Sequence, residues 1–286
     1  AASLPLHAAL LLALLALSSS QRETAEERAW RLRKAENRTY VGRVHSHAGH
    51  TKSRLPHNLL LDKHTRMDVN VLAVGDSLTA GYYHGGMAWH PYAWRLGELL
   101  GRKVDHIGIS GWTAGQLAET ANDDNLPCNR LGGADEPCPG LQRQLRLGPQ
   151  GRVYSHVAIM AGTNDLRLGD AEGIVSSVKK LHAMAHAEKC KTFAMTLPEM
   201  MAEQSYPLIR STRLAVNAAL RDFAASREDV LLVDVDAAVP QVSLLREERR
   251  QIWDTDGLHM LPDGYDRVAQ AVFDAMVGAR WFSTRS

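Results

Sequence analysis

Four short blocks of this sequence hold residues whose types and spacing suit acyl-transfer chemistry. The first is Gly75-Asp76-Ser77-Leu78-Thr79-Ala80-Gly81. A serine acts as a nucleophile when its hydroxyl stands on a tight turn beside a general base, with a backbone N–H free to meet developing negative charge. Gly75 and Gly81 permit such a turn. The second block, Gly108-Ile109-Ser110-Gly111-Trp112-Thr113, has closely spaced glycines that can present backbone N–H groups to an oxyanion. The third, Ala161-Gly162-Thr163-Asn164-Asp165, offers the Asn164 amide as a further donor. The fourth is Asp254-Thr255-Asp256-Gly257-Leu258-His259. Asp256 and His259, three apart around a glycine, can share one short loop. The carboxylate then holds one imidazole nitrogen while the other faces Ser77.

Each block also has a plainer use. Asp76 or Ser77 can cap the helix that follows, and Thr113 can cap the next one. Thr163 or Asp165 can cap a turn, and a loop histidine can be structural or solvated. The fourth block has a metal reading as well, with Asp254, Asp256 and His259 as ligands in a phosphodiesterase, but partner ligands at other strand ends are not evident. The chain has no HExxH, paired CxxC or EF-hand pattern, and neither a metal nor an organic cofactor is expected.

The elements that must position these blocks follow an α/β alternation. The apolar, β-branched run 69–74 stops at Gly75, as a buried strand should. A helix is expected over 90–100, a strand near 103–107 and a helix around 113–121. Another helix is expected over 139–147, with Pro139 as its first residue. The second half predicts strands at 154–161, 191–197 and 230–235, with helices at 170–187, about 208–226 and 262–279. Apolar strands alternating with helices imply right-handed crossovers and a mainly parallel sheet covered on both faces. In such sheets ligands bind beyond the carboxyl ends of the strands, and the first three blocks lie directly after predicted strands, with the fourth in the loop region that follows the last.

With all four blocks in one chain, in the order Ser, Gly, Asn, Asp-x-x-His, the sequence resembles the SGNH hydrolases, also called the GDSL esterase/lipase family. The resemblance runs from about 69 to 275. The stretch GDSLTAGYYHGG…HPYAW is similar to a subgroup in which His-Pro-Tyr follows the serine block. The family resemblance implies Ser77 as nucleophile, His259 as base and Asp256 as its orienter. It implies an oxyanion hole built from the Ser77 N–H, the Gly111 N–H and the Asn164 amide. Gly111 is preferred to Gly108 because the family's glycine usually precedes a polar-Thr step, although Trp112 stands here where an Asp is common. The implied fold is a three-layer α/β/α sandwich, flavodoxin-like, around a parallel sheet of about five strands. The implied activity is hydrolysis of a carboxylic ester of a lipid, an acetylated sugar or a small alcohol. The alternative is a non-catalytic module that uses the same cleft to hold a ligand.

The rest of the chain bears on setting. With 45% hydrophobic and 23% charged residues and a formal net charge of +1, the composition gives no reason to expect nucleic acid as a partner. Pro5 to Leu17 is apolar apart from His7 and is followed by three serines, the pattern of a signal peptide or signal anchor over 1–20. Residues 21–66 read as a polar linker, with a possible helix over 23–36, a sequon at Asn37-Arg38-Thr39, and His45, His47, His50, His57 and His64 in a tract that suits solvent better than a metal. The hydrolase domain is expected over 67–286. Cys128 and Cys138 flank a polar loop and suit a local disulfide, whereas Cys190 suits a buried thiol. Together these features predict the secretory pathway, with a secreted or membrane-anchored product. The aromatics Tyr82, Tyr83, Trp89, Trp94 and Trp112, and the stretch Pro198-Glu199-Met200-Met201, are candidates for the substrate rim.

Overall fold

The computed structural model describes residues 69–129, 135–148, 153–279 and 281. The expected leader, linker, sequon and histidine tract lie outside the described residues. Among the described residues no helix is long and apolar enough to cross a membrane.

The chain begins with β1 (Val71–Gly75), the short helix α1 (Ser77–Ala80) and a hairpin of β2 (Tyr82–Tyr83) and β3 (Ala88–Trp89). Helix α2 (Tyr92–Leu100), strand β4 (Asp105–Gly108) and helix α3 (Ala114–Glu119) follow. A second hairpin, β5 (Leu126–Asn129) and β6 (Asp135–Cys138), leads to α4 (Leu141–Leu147). Then come β7 (His156–Met160), α5 (Ala171–Ala187), β8 (Lys191–Met195), α6 (Pro207–Ala225), β9 (Val230–Val233), α7 (Val235–Ala238), α8 (Arg246–Ile252) and α9 (Pro262–Gly278). Five strands form one parallel sheet in the order β4-β1-β7-β8-β9. This is the expected α/β/α sandwich with flavodoxin-like strand order.

Alternation along the strands builds two cores. Leu72 and Val74 of β1, with Val157 and Ile159 of β7, face α3, α4, α5 and α6 through Leu117, Leu141, Val178 and Leu220. Val71 and Ala73, with Ala158 and Met160, face α2 and α9 through Leu96, Val268, Val272 and Met276. Successive side chains in a strand point to opposite faces, so a strand covered on both sides is mostly apolar, with His156 at the start of β7 the polar exception. Every residue of β1 and of β7 is buried.

The expected boundaries shift where a local contact intervenes. The helix expected from Pro139 starts instead at Leu141, with Gly140 as its extended N-cap. Gly140 donates to the Asp123 carbonyl and lies hard against the Thr120 and Ala121 backbone, which holds the chain straight through Pro139. The strand expected over 230–235 ends at Val233, because Asp234 turns to cap α7 by accepting from the Ala237 N–H. Helices α7 and α8 had no counterpart in the sequence reading. Cys128 and Cys138 form a disulfide and sit within the core. Cys190 is a buried free thiol, pushed up to about 11 by burial and by Glu188.

Beyond β8, a buried ion pair fixes the next turn. Arg213 of α6 is 2% exposed and grips both carboxylate oxygens of Glu203, at 2.6 and 3.0 Å. Glu203 also accepts the Met200 N–H. Removing one partner of such a pair leaves the other charged and dry. Arg213→Met is therefore expected to destabilise the fold by about 3–5 kcal/mol. Urea denaturation checks this, and a loss below about 1 kcal/mol would show that Glu203 has found water instead.

Candidate active site

The strand order reverses at β1, which lies between β4 and β7. A crevice opens beyond the carboxyl ends of strands at such a point. Ser77 follows β1 and Asn164 follows β7, so both lie at this switch point.

Asp76 caps α1 by accepting the Leu78 N–H at 2.9 Å, while its carbonyl accepts from Thr79 and Ala80. Ser77 thereby occupies the first helical position, where the N–H has no helical acceptor. Gly81 closes the turn in the left-handed conformation. The Ser77 Oγ lies 2.9 Å from His259 Nε2, and His259 Nδ1 lies 2.6 Å from Asp256 Oδ2. The other Asp256 oxygen accepts the Leu258 and His259 N–H groups, both at 2.9 Å. Burial would raise the Asp256 pKa, but the hydrogen bonds from the His259 ring and the two N–H groups prevail and hold it at about 2. The structure thus brings Ser77, His259 and Asp256 into one continuous hydrogen-bonded chain.

The loop holding Asp256 and His259 is pinned from several sides. Asp254 donates its N–H to the His259 carbonyl, and Gly257 donates to Asp254. The Gly257 carbonyl accepts from the Met201 N–H at 2.8 Å and from Gln241 Nε2 at 3.1 Å. Sequence reasoning missed Gln241, which is isolated in a loop with no motif around it. Asp254, weighed as a metal ligand, is committed to the backbone: its carboxylate accepts the N–H groups of His84 and Thr255. Among the described residues no three His, Cys, Asp or Glu side chains cluster to hold a metal.

Gly111 occupies the third position of a turn closed by the Trp112 N–H and Ile109 carbonyl, at 3.2 Å. Its φ of +81° is the value a type II turn requires there, which favours glycine. Asn164 donates from Nδ2 to the Trp112 carbonyl at 2.8 Å, leaving its second amide hydrogen for another acceptor. Asp165 accepts the Ala114 N–H at 3.0 Å and so caps α3 across the crevice, while Thr113 forms a capping box with Gln116. On the far side, Ser110 donates its N–H to Asn129 Oδ1 at 2.7 Å, next to the disulfide. The plainer capping uses and the chemical placement therefore coexist, on different atoms of the same blocks.

The rim candidates scatter. Tyr83 is buried, Trp112 packs against the core and Trp94 is exposed. Tyr82 alone of them lies against His259, with ring centroids 4.4 Å apart. Met200, expected on the rim, is buried, because the Glu203–Arg213 pair draws its segment inward. Met201 packs on Gly257 instead.

The fold is that of an SGNH-type hydrolase. Residues 73–267 match the GDSL-like Lipase/Acylhydrolase family, and the chain belongs to it. It is accordingly a serine ester hydrolase. Its structure is similar to the lipase/acylhydrolase from Enterococcus faecalis, with 15% identity and a TM-score of 0.55, covering 76% of this chain and 100% of that one. It is also similar to a Clostridium thermocellum family 3 carbohydrate esterase, with 18% identity, a TM-score of 0.50 and coverage of 74% and 98%. A third likeness is to the lipase Lip_vut3 from a goat rumen metagenome, with 15% identity, a TM-score of 0.51 and coverage of 72% and 97%. At these identities the likeness establishes the fold. No curated protein matches the chain in sequence.

A second carboxylate beside Ser77 behaves oppositely to Asp256. Asp76 is fully buried, and among the described residues its one backbone donor is the Leu78 N–H on Oδ1. Burial raises its pKa from the ordinary 3.8 to about 6, against the lowering effect of the Leu78 N–H. The folded protein holds this proton more tightly than the unfolded chain. The linked stability is complete below pH 3.8 and is lost as pH rises through about 6. Asp76→Asn keeps a capping oxygen and cannot ionise. It is expected to match the parent at pH 4 and exceed it at pH 8 by up to about 3 kcal/mol, the equivalent of the displacement from 3.8 to about 6. Urea denaturation at pH 4, 6 and 8 checks this; an Asn variant with the parent's pH dependence would contradict it.

Proposed function

We propose that this chain hydrolyses carboxylic esters through an acyl-enzyme on Ser77. The observation that carries the reading is the unbroken chain from Asp256 through His259 to Ser77, at 2.6 and 2.9 Å. His259 Nε2 takes the Ser77 hydroxyl proton as Oγ attacks the ester carbonyl carbon. The carbonyl π pair moves onto oxygen. That oxyanion is met by the Ser77 N–H, the Gly111 N–H and the free hydrogen of the Asn164 amide. On collapse, the bond to the alcohol oxygen breaks and His259 gives that oxygen its proton. Water then repeats the sequence on the acyl-enzyme, with His259 as base, and the acid leaves Ser77. Asp256, ionised down to about pH 2, fixes the imidazole tautomer and supports the imidazolium.

The substrate is proposed as a lipid, an acetylated sugar or a small ester. A panel of p-nitrophenyl esters of rising chain length, run beside acetylated polysaccharides, separates these classes. The non-catalytic alternative is disfavoured by the complete Ser–His–Asp chain, and the phosphodiesterase by the commitment of Asp254 to His84 and Thr255. We also propose passage through the secretory pathway, supported by the apolar run from Pro5 to Leu17 and by the Cys128–Cys138 disulfide. In a eukaryotic host the full chain should carry a glycosidase-sensitive mass at Asn37, and a protein that stays cytosolic would rule the route out.

Ser77→Ala is expected to lower kcat by about 10⁵-fold or more and to abolish covalent labelling by a fluorophosphonate. Asn164→Ala should cost about 10²–10³-fold, mainly in kcat. Ester hydrolysis undiminished in the Ser77 variant would sink the reading.

A further inference from the structure

We propose that Tyr82 is a positioning residue for His259: its ring holds the imidazole in line with Ser77 and stabilises the imidazolium formed during acyl transfer. The inference rests on the Ser77–His259–Asp256 reading above.

The in-plane sites of the His259 ring are already taken. Nδ1 meets Asp256 and Nε2 meets Ser77. Hydrogen bonds tolerate modest bending, so Asp256 and Ser77 restrain rotation about the Cβ–Cγ bond only softly, and a contact on a ring face stiffens that restraint. The Tyr82 ring supplies that contact, with centroids 4.4 Å apart and planes inclined by 42°. The His259 side chain is only 12% exposed. A cation over an aromatic face within about 6 Å is attracted by the negative ring face, more strongly when water is excluded. Neutral imidazole gains little from this, whereas imidazolium gains more, so the contact favours the charged intermediate over the resting state.

Tyr82 is itself held at several points. Its carbonyl accepts from the buried Tyr265 hydroxyl of α9 at 2.7 Å. Trp89, its cross-strand partner, meets the ring edge-on at 5.1 Å. At Gly86 a β-carbon would stand 2.8 Å from Tyr82 Cε2, so the turn must be bare there for the ring to lie as it does. The hairpin is tied to the histidine loop by the His84 N–H on Asp254, whose own N–H binds the His259 carbonyl. Hairpin and loop thus form one clamp, although about 175 residues separate them in sequence. Burial, Asp256 and Asp254 all raise the Tyr82 phenol pKa, so the ring stays neutral at working pH.

The test compares Tyr82→Phe and Tyr82→Leu with the parent full-length enzyme, using p-nitrophenyl acetate and fluorophosphonate labelling of Ser77. Phe keeps the ring face and should leave kcat within about twofold. Leu should lower kcat and the labelling rate in parallel by roughly 3- to 30-fold, with KM little changed. Tyr82→Met serves the same comparison should the Leu variant fail to fold. In the parent itself, NMR should find the His259 ring protons shifted upfield by the tyrosine ring current. Unchanged kcat in the aliphatic variants, a loss confined to KM, or unshifted His259 resonances would each overturn the proposal. Ser77→Ala separates the two ideas: if it is inactive while Tyr82→Leu is unimpaired, only the role of Tyr82 falls; if it stays active, the underlying reading falls.

Discussion

Parallel strands buried on both faces impose the constraint from which the rest of this molecule follows. All five strands run parallel, so every strand-to-helix turn lies at the same carboxyl end of the sheet. With β1 between β4 and β7, the turns after these three strands become neighbours in space, and the Ser77, Gly111 and Asn164 blocks come together there. The Asp256–His259 loop, more than 170 residues beyond Ser77, closes the group through the 2.9 Å contact between His259 and Ser77.

At this end of the sheet the same residue types are put to opposite electrostatic uses. Asp256 accepts two backbone N–H groups and the histidine ring, and is held at about 2. Asp76, one residue from the serine, is fully buried, accepts the Leu78 N–H, and rises to about 6. The difference lies first in burial, complete at Asp76 and partial at Asp256, and then in the number of donors aimed at each carboxylate. Asp256 keeps its charge beside the His259 ring. Asp76 serves as a helix cap that holds Ser77 at the first position of α1.

Around this centre runs a second layer in which ordinary structural devices fix chemical groups. Asp165 caps α3, Asn164 holds the Trp112 carbonyl and Asn129 takes the Ser110 N–H, so the Gly111 turn is gripped from both sides. Met201 and Gln241 grip the Gly257 carbonyl in the same way, and the buried Arg213–Glu203 pair steadies the segment that carries Met201. A helix cap and a candidate oxyanion donor are thus adjacent residues, as at Asp165 and Asn164, so a capping role does not exclude a chemical one.

Much of this was legible in the chain. Strand period and turn glycines depend on local geometry and sufficed to predict the sandwich; the four blocks, with the family resemblance they carry, singled out Ser77, Gly111, Asn164, Asp256 and His259 as candidates. Local pattern also led to errors. Pro139 suits a helix start, yet Gly140 is held extended against Thr120 and Ala121, and α7 begins where strand was expected because Asp234 can cap. Tyr82 stands in the sequence as one aromatic among five, and Asp254 as a metal ligand weighed and set aside. Their partners, His259 and His84, lie far away in sequence, and no periodicity encodes a contact of that kind. The sequence by itself determined which turns carry reactive groups, because each turn is a local matter of backbone and capping. Only the tertiary structure decided which side chain faces which, because that depends on how buried segments from distant parts of the chain fill the same space.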